Sequence, residues 1–348
     1  MKNKRKTNSG ILKGKRLGVL GFGSQGRAQA LNLRDSGIPP LIGLPSKSKS
    51  RKKAKDEGFI ATTAKKTVQS SDIITVLIPD HKHKELFDSL SGIDLSGKTF
   101  IFAHGLSVAF GLAKIPSDCD IIMVAPHGPG IRLREQYIAA KSFTAFVAIH
   151  QDYSGRAGKK AVEYAGAIGC DKSNLFESTF REEAVGDIFG EQAVLCGGLV
   201  GLLETGFETL VDKGFSPQSA YLECVYQLDL IIDLVKRYGT AGMFERISKT
   251  AAFGSLRVKD RLFDPKFRIK MENLYDEIDS GKFVSALSNE DRAGFSGFES
   301  MLAECRRSSL NKAQKTFSNK ISDRSTPPKA PVRKNGRKPD AVKGRRDT

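Results

Sequence analysis

Cysteine is sparse and shows no pairing pattern. The five cysteines in 348 residues, Cys119, Cys170, Cys196, Cys224 and Cys305, are odd in number, far apart and without any CxxC spacing. This argues against a disulfide framework or a cysteine-based zinc site, and a reducing, cytoplasmic setting is expected. No run approaches the roughly twenty apolar residues of a membrane span, and the opening MKNKRKTNSG lacks the apolar stretch of a secretory signal, so a soluble chain is expected. Acidic residues are few beside basic ones, 39 against 56, giving a formal net charge of +17. Such an excess suggests a polyanionic partner until its distribution is examined. From Arg306 to Thr348, fourteen Lys and Arg face three Asp, a net of +11, which leaves about +6 for everything before it. The body is only mildly basic.

A chain of this length with 39% hydrophobic residues is long enough for two ordinary domains. A basic extension over residues 1–14 precedes KRLGVLGFG at 15–23, an apolar run that ends in glycines, as a buried parallel strand entering a tight turn does. Similar strand-sized runs recur at 41–44, 59–62, 72–79, 98–105, 120–128 and 143–150, alternating with polar or helical stretches. The alternation predicts an α/β, doubly wound parallel sheet over 15–180, with ligands at the carboxyl ends of the strands. From 181 to 317 apolar residues fall at helical spacing, so an all-helical domain is expected. Residues 318–348 are rich in Lys, Arg, Pro, Ser and Gly, too polar to offset the entropy of ordering, and are expected to form a disordered tail.

Gly21-Phe22-Gly23-Ser24-Gln25-Gly26 is a G-x-G-x-x-G placed between a predicted strand and a predicted helix, as a dinucleotide site requires. Gly21 would permit the tight turn, Gly23 the approach of a pyrophosphate and Gly26 close helix packing. After the second strand stand Pro45-Ser46-Lys47-Ser48-Lys49-Ser50-Arg51, with no acid for ribose hydroxyls. Hydroxyls and cations there suit a 2′-phosphate, which favours NADPH over NADH. Further along, Asp187 and Glu191 stand four residues apart on a predicted helix, and Glu223 and Gln227 repeat the spacing on another. Each pair projects oxygen donors from one face, of the kind Mg²⁺ accepts. Their apolar surroundings imply that the carboxylates need a partner to offset desolvation.

GFGSQGRAQALNLRDSG, FAHGLS, MVAPHGPG, DIFGEQAVLCGG and ERISKTA, in this order, closely resemble ketol-acid reductoisomerase over about Lys15 to Arg307. The resemblance implies the short form of that family: a Rossmann domain and a knotted helical domain that convert 2-acetolactate or its ethyl homologue with NADPH and Mg²⁺ in valine and isoleucine synthesis. It implies pyrophosphate contacts at Phe22 to Gln25, 2′-phosphate contacts at Ser48 and Ser50, and further cofactor contacts at Asp80, His81, Lys82, His83 and Gly130. His104 would be the active-site histidine, and Asp187, Glu191, Glu223 and position 227 the metal ligands. Ser248 would touch substrate, and Glu223 and Ser248 would serve the neighbouring subunit of a homodimer or larger homo-oligomer.

Several positions depart from the family pattern. His127 stands where the family has lysine, Gln227 where it has a glutamate ligand, Ala252 where it has glutamate, and Pro45 near an expected arginine. A neutral amide weakens a second Mg²⁺ site, and a histidine is a less certain cation than lysine. Two alternatives stay open on the sequence: a simple NADPH-dependent 2-keto acid reductase, and an inactive paralogue whose basic tail binds nucleic acid or an acidic partner. The other histidines carry less. His81 and His83 are loop residues near the cofactor, His150 is structural, and Cys196 and Cys224 are expected as small core residues.

Overall fold

The computed structural model describes residues 10–325. Its centre is an eight-stranded sheet in the order β3-β2-β1-β4-β5-β6-β7-β8. The strands are β1 Leu17–Leu20, β2 Leu41–Gly43, β3 Ala61–Thr62, β4 Ile73–Val76, β5 Thr99–Phe102, β6 Asp120–Pro126, β7 Ala145–Gln151 and β8 Leu175–Glu177. Strands β1, β4 and β5 are buried along their whole length, because helices cover both faces of the sheet. Two side-chain clusters fill these faces, one around Val19, Ile42 and Ile122, the other around Ile74, Phe100 and Phe102. The chain reverses direction across the sheet between β1 and β4, and the carboxyl ends of those strands flank the opening.

One expectation needs correction, and two features were not read from the sequence. The strand at 143–150 is not parallel to its neighbour: β7 runs antiparallel to β6 and parallel to β8. An apolar run reports burial, while direction is set by the connection, here a helix Gly130–Ile138 and a short return. Strand β8, with only three residues and two of them exposed, has no readable pattern. The end of the supposed extension is also anchored, since the Ile11 and Leu12 N–H groups donate to the Glu163 carboxylate and Leu12 enters the core; residues 1–9 lie outside the described residues.

Beyond Phe180 the described chain is helical. Among the described residues, one compact unit holds 10–200 together with Phe253–Glu299, and the other holds Gly201–Ala252 and 300–325. In the first, helices Phe180–Gly190, Pro265–Asp279 and Lys282–Arg292 meet the sheet's loops through Leu106, Val185, Ile188, Ile278 and Val284. In the second, Phe207, Ala220 and Ala313 form a small core. The helix Ser309–Ser325 carries order past position 318, where a disordered tail was expected to start. Residues 326–348, the remainder of that tail and its proposed polyanion site, lie outside the described residues.

Candidate active site

The first turn after β1 is built by steric necessity. Gly21 adopts φ +103°, and a Cβ there would sit 2.3 Å from the Leu77 carbonyl oxygen. A Cβ on Gly26 would fall 2.5 Å from the Gly21 carbonyl oxygen, so the helix Ser24–Asp35 can sit on the strand only with glycine at that position. Gly23 faces open space, and no side chain caps the helix it precedes, which leaves N–H groups directed outward. Phe22 turns its ring inward onto Phe59 and presents only backbone. Ser24 and Gln25 are tied to the next layer: the Gly130 N–H donates to Ser24 Oγ at 3.1 Å, and Gln25 Nε2 donates to the Gly128 carbonyl at 2.8 Å. A Cβ on Gly130 would meet the Ser24 carbonyl oxygen at 2.2 Å, so this glycine sets a helix contact.

From this turn a cleft of about 870 Å³ runs past Pro45, Ile78 and Asp80 to His104. Its size falls within the range of cofactor sites, and it lies where the strand order reverses. Ser48 and Ser50 are half-buried on the loop that continues from the cleft-lining Pro45, though neither lines the cleft itself, and the Ser50 N–H donates to Ser48 Oγ at 3.3 Å. Arg51 does not join them. Its guanidinium donates to the Leu44, Ala61 and Thr62 carbonyls and splices β2 to β3, so Lys47 and Lys49 are the exposed cations of this loop.

His104, two residues beyond β5, stands between carboxylates. Its Nδ1 is 3.4 Å from Asp80 Oδ2, and its buried Nε2, with no hydrogen-bond partner among the described residues, is 3.5 Å from Asp187 Oδ2. Burial pushes the imidazole pKa down, but pairing with Asp80 and the charges of Glu183 and Asp187 prevail and raise it to about 9. Burial works against the Asp80 charge too, yet His104 holds that carboxyl below its ordinary range. Glu183 escaped the sequence reading. It is buried, accepts the Gly105 N–H at 2.5 Å, and is pushed up to about 7 chiefly by burial. The signal was present: Glu183, Asp187 and Glu191 recur every four residues along one helical face.

The segment 80–83 divides its work. Asp80 and Lys82 line the cleft. His83 lines the cleft as well, with both ring nitrogens engaged by the protein: Nε2–H donates to the Ile78 carbonyl at 3.0 Å and Nδ1 accepts from Ser107 Oγ at 2.6 Å. Burial depresses its pKa, which keeps it neutral and structural. His81 turns away, 3.7 Å from Asp291 and edge-on to the Phe295 ring. His127 is exposed at the end of β6 with its ring against Phe146. Ser248 is an exposed cap whose Oγ accepts the Ala251 N–H at 3.1 Å.

Asp187 and Glu191 are exposed, not enclosed by the apolar residues around them, and no group of three or more possible ligands gathers among the described residues. Their neighbours Val194 and Leu195 are exposed as well, and so is Cys196, which was expected in the core. Burial and the Asp187 charge raise the Glu191 carboxyl. Both acid helices change pitch at the acids, with π-helical turns at Glu191–Leu195 and Leu222–Tyr226. Such turns re-aim side chains and recur at functional sites. In the second unit Glu223 and Gln227 are exposed, and Gln227 Nε2 donates to the Leu222 carbonyl at 3.3 Å, which directs its amide oxygen outward.

Comparison with known proteins bears on both halves of the chain. The family model described as acetohydroxy acid isomeroreductase, NADPH-binding domain, matches residues 11–174, and that of the ketol-acid reductoisomerase C-terminal domain matches 180–322. A ketol-acid reductoisomerase (NADP(+)) of Saccharopolyspora erythraea is 42% identical over 293 residues, covering 84% of this chain and 88% of the relative. The structure of an NADH-preferring ketol-acid reductoisomerase from an uncultured archean matches with a TM-score of 0.84 at 34% identity, over 89% of this chain and 95% of that one. An oxidoreductase structure from Jannaschia sp. CCS1, at 14% identity and a TM-score of 0.58 over 76% of this chain and 98% of its own, shares the fold alone. With both domains matched in order and relatives aligned along most of their length, the chain belongs to the ketol-acid reductoisomerase family.

Proposed function

We propose that this oxidoreductase of branched-chain amino acid synthesis binds NADPH and Mg²⁺ and carries out the isomeroreduction of 2-acetolactate or 2-aceto-2-hydroxybutanoate to the 2,3-dihydroxy acid. The observation that carries the reading is His104, held between Asp80 and Asp187 at one end of a nucleotide-sized cleft whose other end is the glycine turn. The backbone from Phe22 to Gln25 receives the pyrophosphate, and Ser48 and Ser50, with Lys47 and Lys49 beside them, receive the 2′-phosphate.

Asp187 and Glu191 suit a hard cation: their side chains are exposed one helical turn apart, and the Glu191 carboxyl, raised first by desolvation and then by the Asp187 charge, is one that a cation would favour in its charged form. Glu223 and Gln227 complete the donor set from a neighbouring subunit. When bound, Mg²⁺ supplies Lewis acidity at the substrate ketone and NADPH supplies hydride. Asp80 holds the Nδ1 side of His104 and so directs Nε2 toward Asp187. Ser248 and His127 provide further donors to substrate. Because Gln227 is uncharged and His127 replaces a lysine, the second cation is held more weakly and turnover is lowered.

A homodimer is part of this reading. The helix Phe180–Asp212 contains a stretch long and apolar enough to cross a membrane by length and composition, and almost none of that 18-residue window is buried in a single chain, although the helix start packs Val185 and Ile188 into a core. Asp187, Glu191, Glu204 and Glu208 recur along it, which suits an aqueous helix-to-helix interface better than lipid. The test is incubation of purified protein with NADPH, Mg²⁺ and either 2-acetolactate or 3-hydroxy-3-methyl-2-oxobutanoate. Oxidation of NADPH with both compounds is expected, whereas turnover of the second alone would leave a simple keto acid reductase.

A further inference from the structure

The turn that carries Asp80 is held from outside by Asp291 and Phe295, which do not line the cleft, through His81 and Lys82. Asp80–Lys82 forms a single 3₁₀ turn after Pro79, too short to hold its own geometry. On the inner side His83 is fastened to Ile78 and Ser107. On the outer side Lys82 Nζ lies 3.1 Å from Asp291 Oδ1, His81 Nε2 is 3.7 Å from the same oxygen, and the His81 ring meets Phe295 edge-on with centroids 5.1 Å apart. Asp291 belongs to the helix Lys282–Arg292, some two hundred residues away in sequence but within the same compact unit.

The backbone is strained to make this contact. Phe295 adopts φ +60°, directly after Gly294 at φ +67°. A bulky residue in the left-handed region is a true outlier, and its strain persists only where surrounding contacts impose it. Here the Phe295 ring contacts His81 and Phe298, and its N–H donates to the Glu290 carbonyl at 2.9 Å. The Asp291 side chain is 20% exposed and those of His81 and Lys82 are 19% and 45% exposed, so the network is partly shielded. An ion pair of this exposure adds little to global stability, which leaves its effect on local geometry as the larger consequence.

We infer that Asp291, supported by Phe295, is a positioning residue: by clamping His81 and Lys82 it fixes the turn that presents Asp80 to His104 Nδ1. The inference rests on the proposed role of His104, and its test separates the two. Full-length protein labelled at the histidine rings gives five imidazole signals, one per histidine, and His104→Gln identifies the one of interest. Asp291→Ala is expected to shift the His104 signal and lower kcat about tenfold with little change in the KM for 2-acetolactate, as befits loss of one partly buried charged contact. Asp291→Glu is expected to restore both, and Phe295→Gly, which removes ring and strain together, to move the signal without lowering Tm. An unmoved His104 signal in Asp291→Ala overturns the inference even if Tm falls. A moved signal in a protein whose wild type does not consume 2-acetolactate keeps the clamp and removes the function instead.

Discussion

In the sheet, Val19, Ile42, Ile101 and Ile122 have no exposed surface, whereas along the helix Phe180–Asp212 Leu195 is 66% exposed and Leu202 55%. Similar side chains thus meet opposite fates in one chain. The α/β layer finishes its burial with its own helices, while the acid-bearing helices leave large apolar side chains in solvent. Leu230 and Ile232, on the helix Leu228–Phe244, share that exposure. The proposed catalytic geometry follows the same division: His104 and Asp80 meet within one chain, and the acids Asp187 and Glu191 stand exposed.

If a second copy covers that surface, Leu202→Asp should have the largest effect. Sedimentation velocity is expected to show monomers, with turnover down by more than about a hundredfold because each site would draw on both subunits. The finished half answers to a different kind of change. Gly21→Ala, which forces a Cβ onto the Leu77 carbonyl at φ +103°, should cost roughly 3 kcal/mol in denaturant unfolding. Gly23→Ala should leave stability within about 0.5 kcal/mol and weaken NADPH binding measured by nucleotide fluorescence. Equal losses of stability in the two variants would contradict the open cradle at Gly23.

Gln227→Glu restores a charge to the uncovered side. The Mg²⁺ concentration for half-maximal activity should fall about tenfold, with His127→Lys adding to kcat. The smallest effect is in the pH dependence of the metal-free protein. Glu183 is raised from 4.5 to about 7 in the fold, so charging it opposes folding, and stability falls as pH rises between those values. His104 acts in the same direction: raised from 6.5 to about 9, its contribution is complete below 6.5 and is lost as pH climbs through 9. Thermal unfolding should therefore occur at a lower temperature at pH 8 than at about pH 5, and Glu183→Gln should flatten the profile between.

Much of this was legible. The glycine turn could be read because sterics there leave one residue type at each of two positions, and the buried strands because parallel strands covered on both faces read as apolar runs. The His104 assignment came from resemblance and the Asp187–Glu191 pair from its four-residue spacing, an interval that reaches Glu183 one step upstream. Arg51 misled because a cation beside a serine loop is as well suited to backbone carbonyls as to phosphate. The fastening of His83 was not legible because its partners, Phe102 of β5 and Ser107, come from a later part of the chain.

The amino-acid sequence alone determined the layered α/β architecture, the nucleotide turn and the helical second half, since each depends on local sterics or on periodicity within a dozen residues. Tertiary structure decided the antiparallel course of β7, the confinement of Arg51 and His83, the rise of Glu183 and the clamp from Asp291 to His81 and Lys82. These depend on which groups meet across tens or hundreds of residues, and the strength of a charge or hydrogen bond is set by that meeting and its dielectric surroundings rather than by residue type.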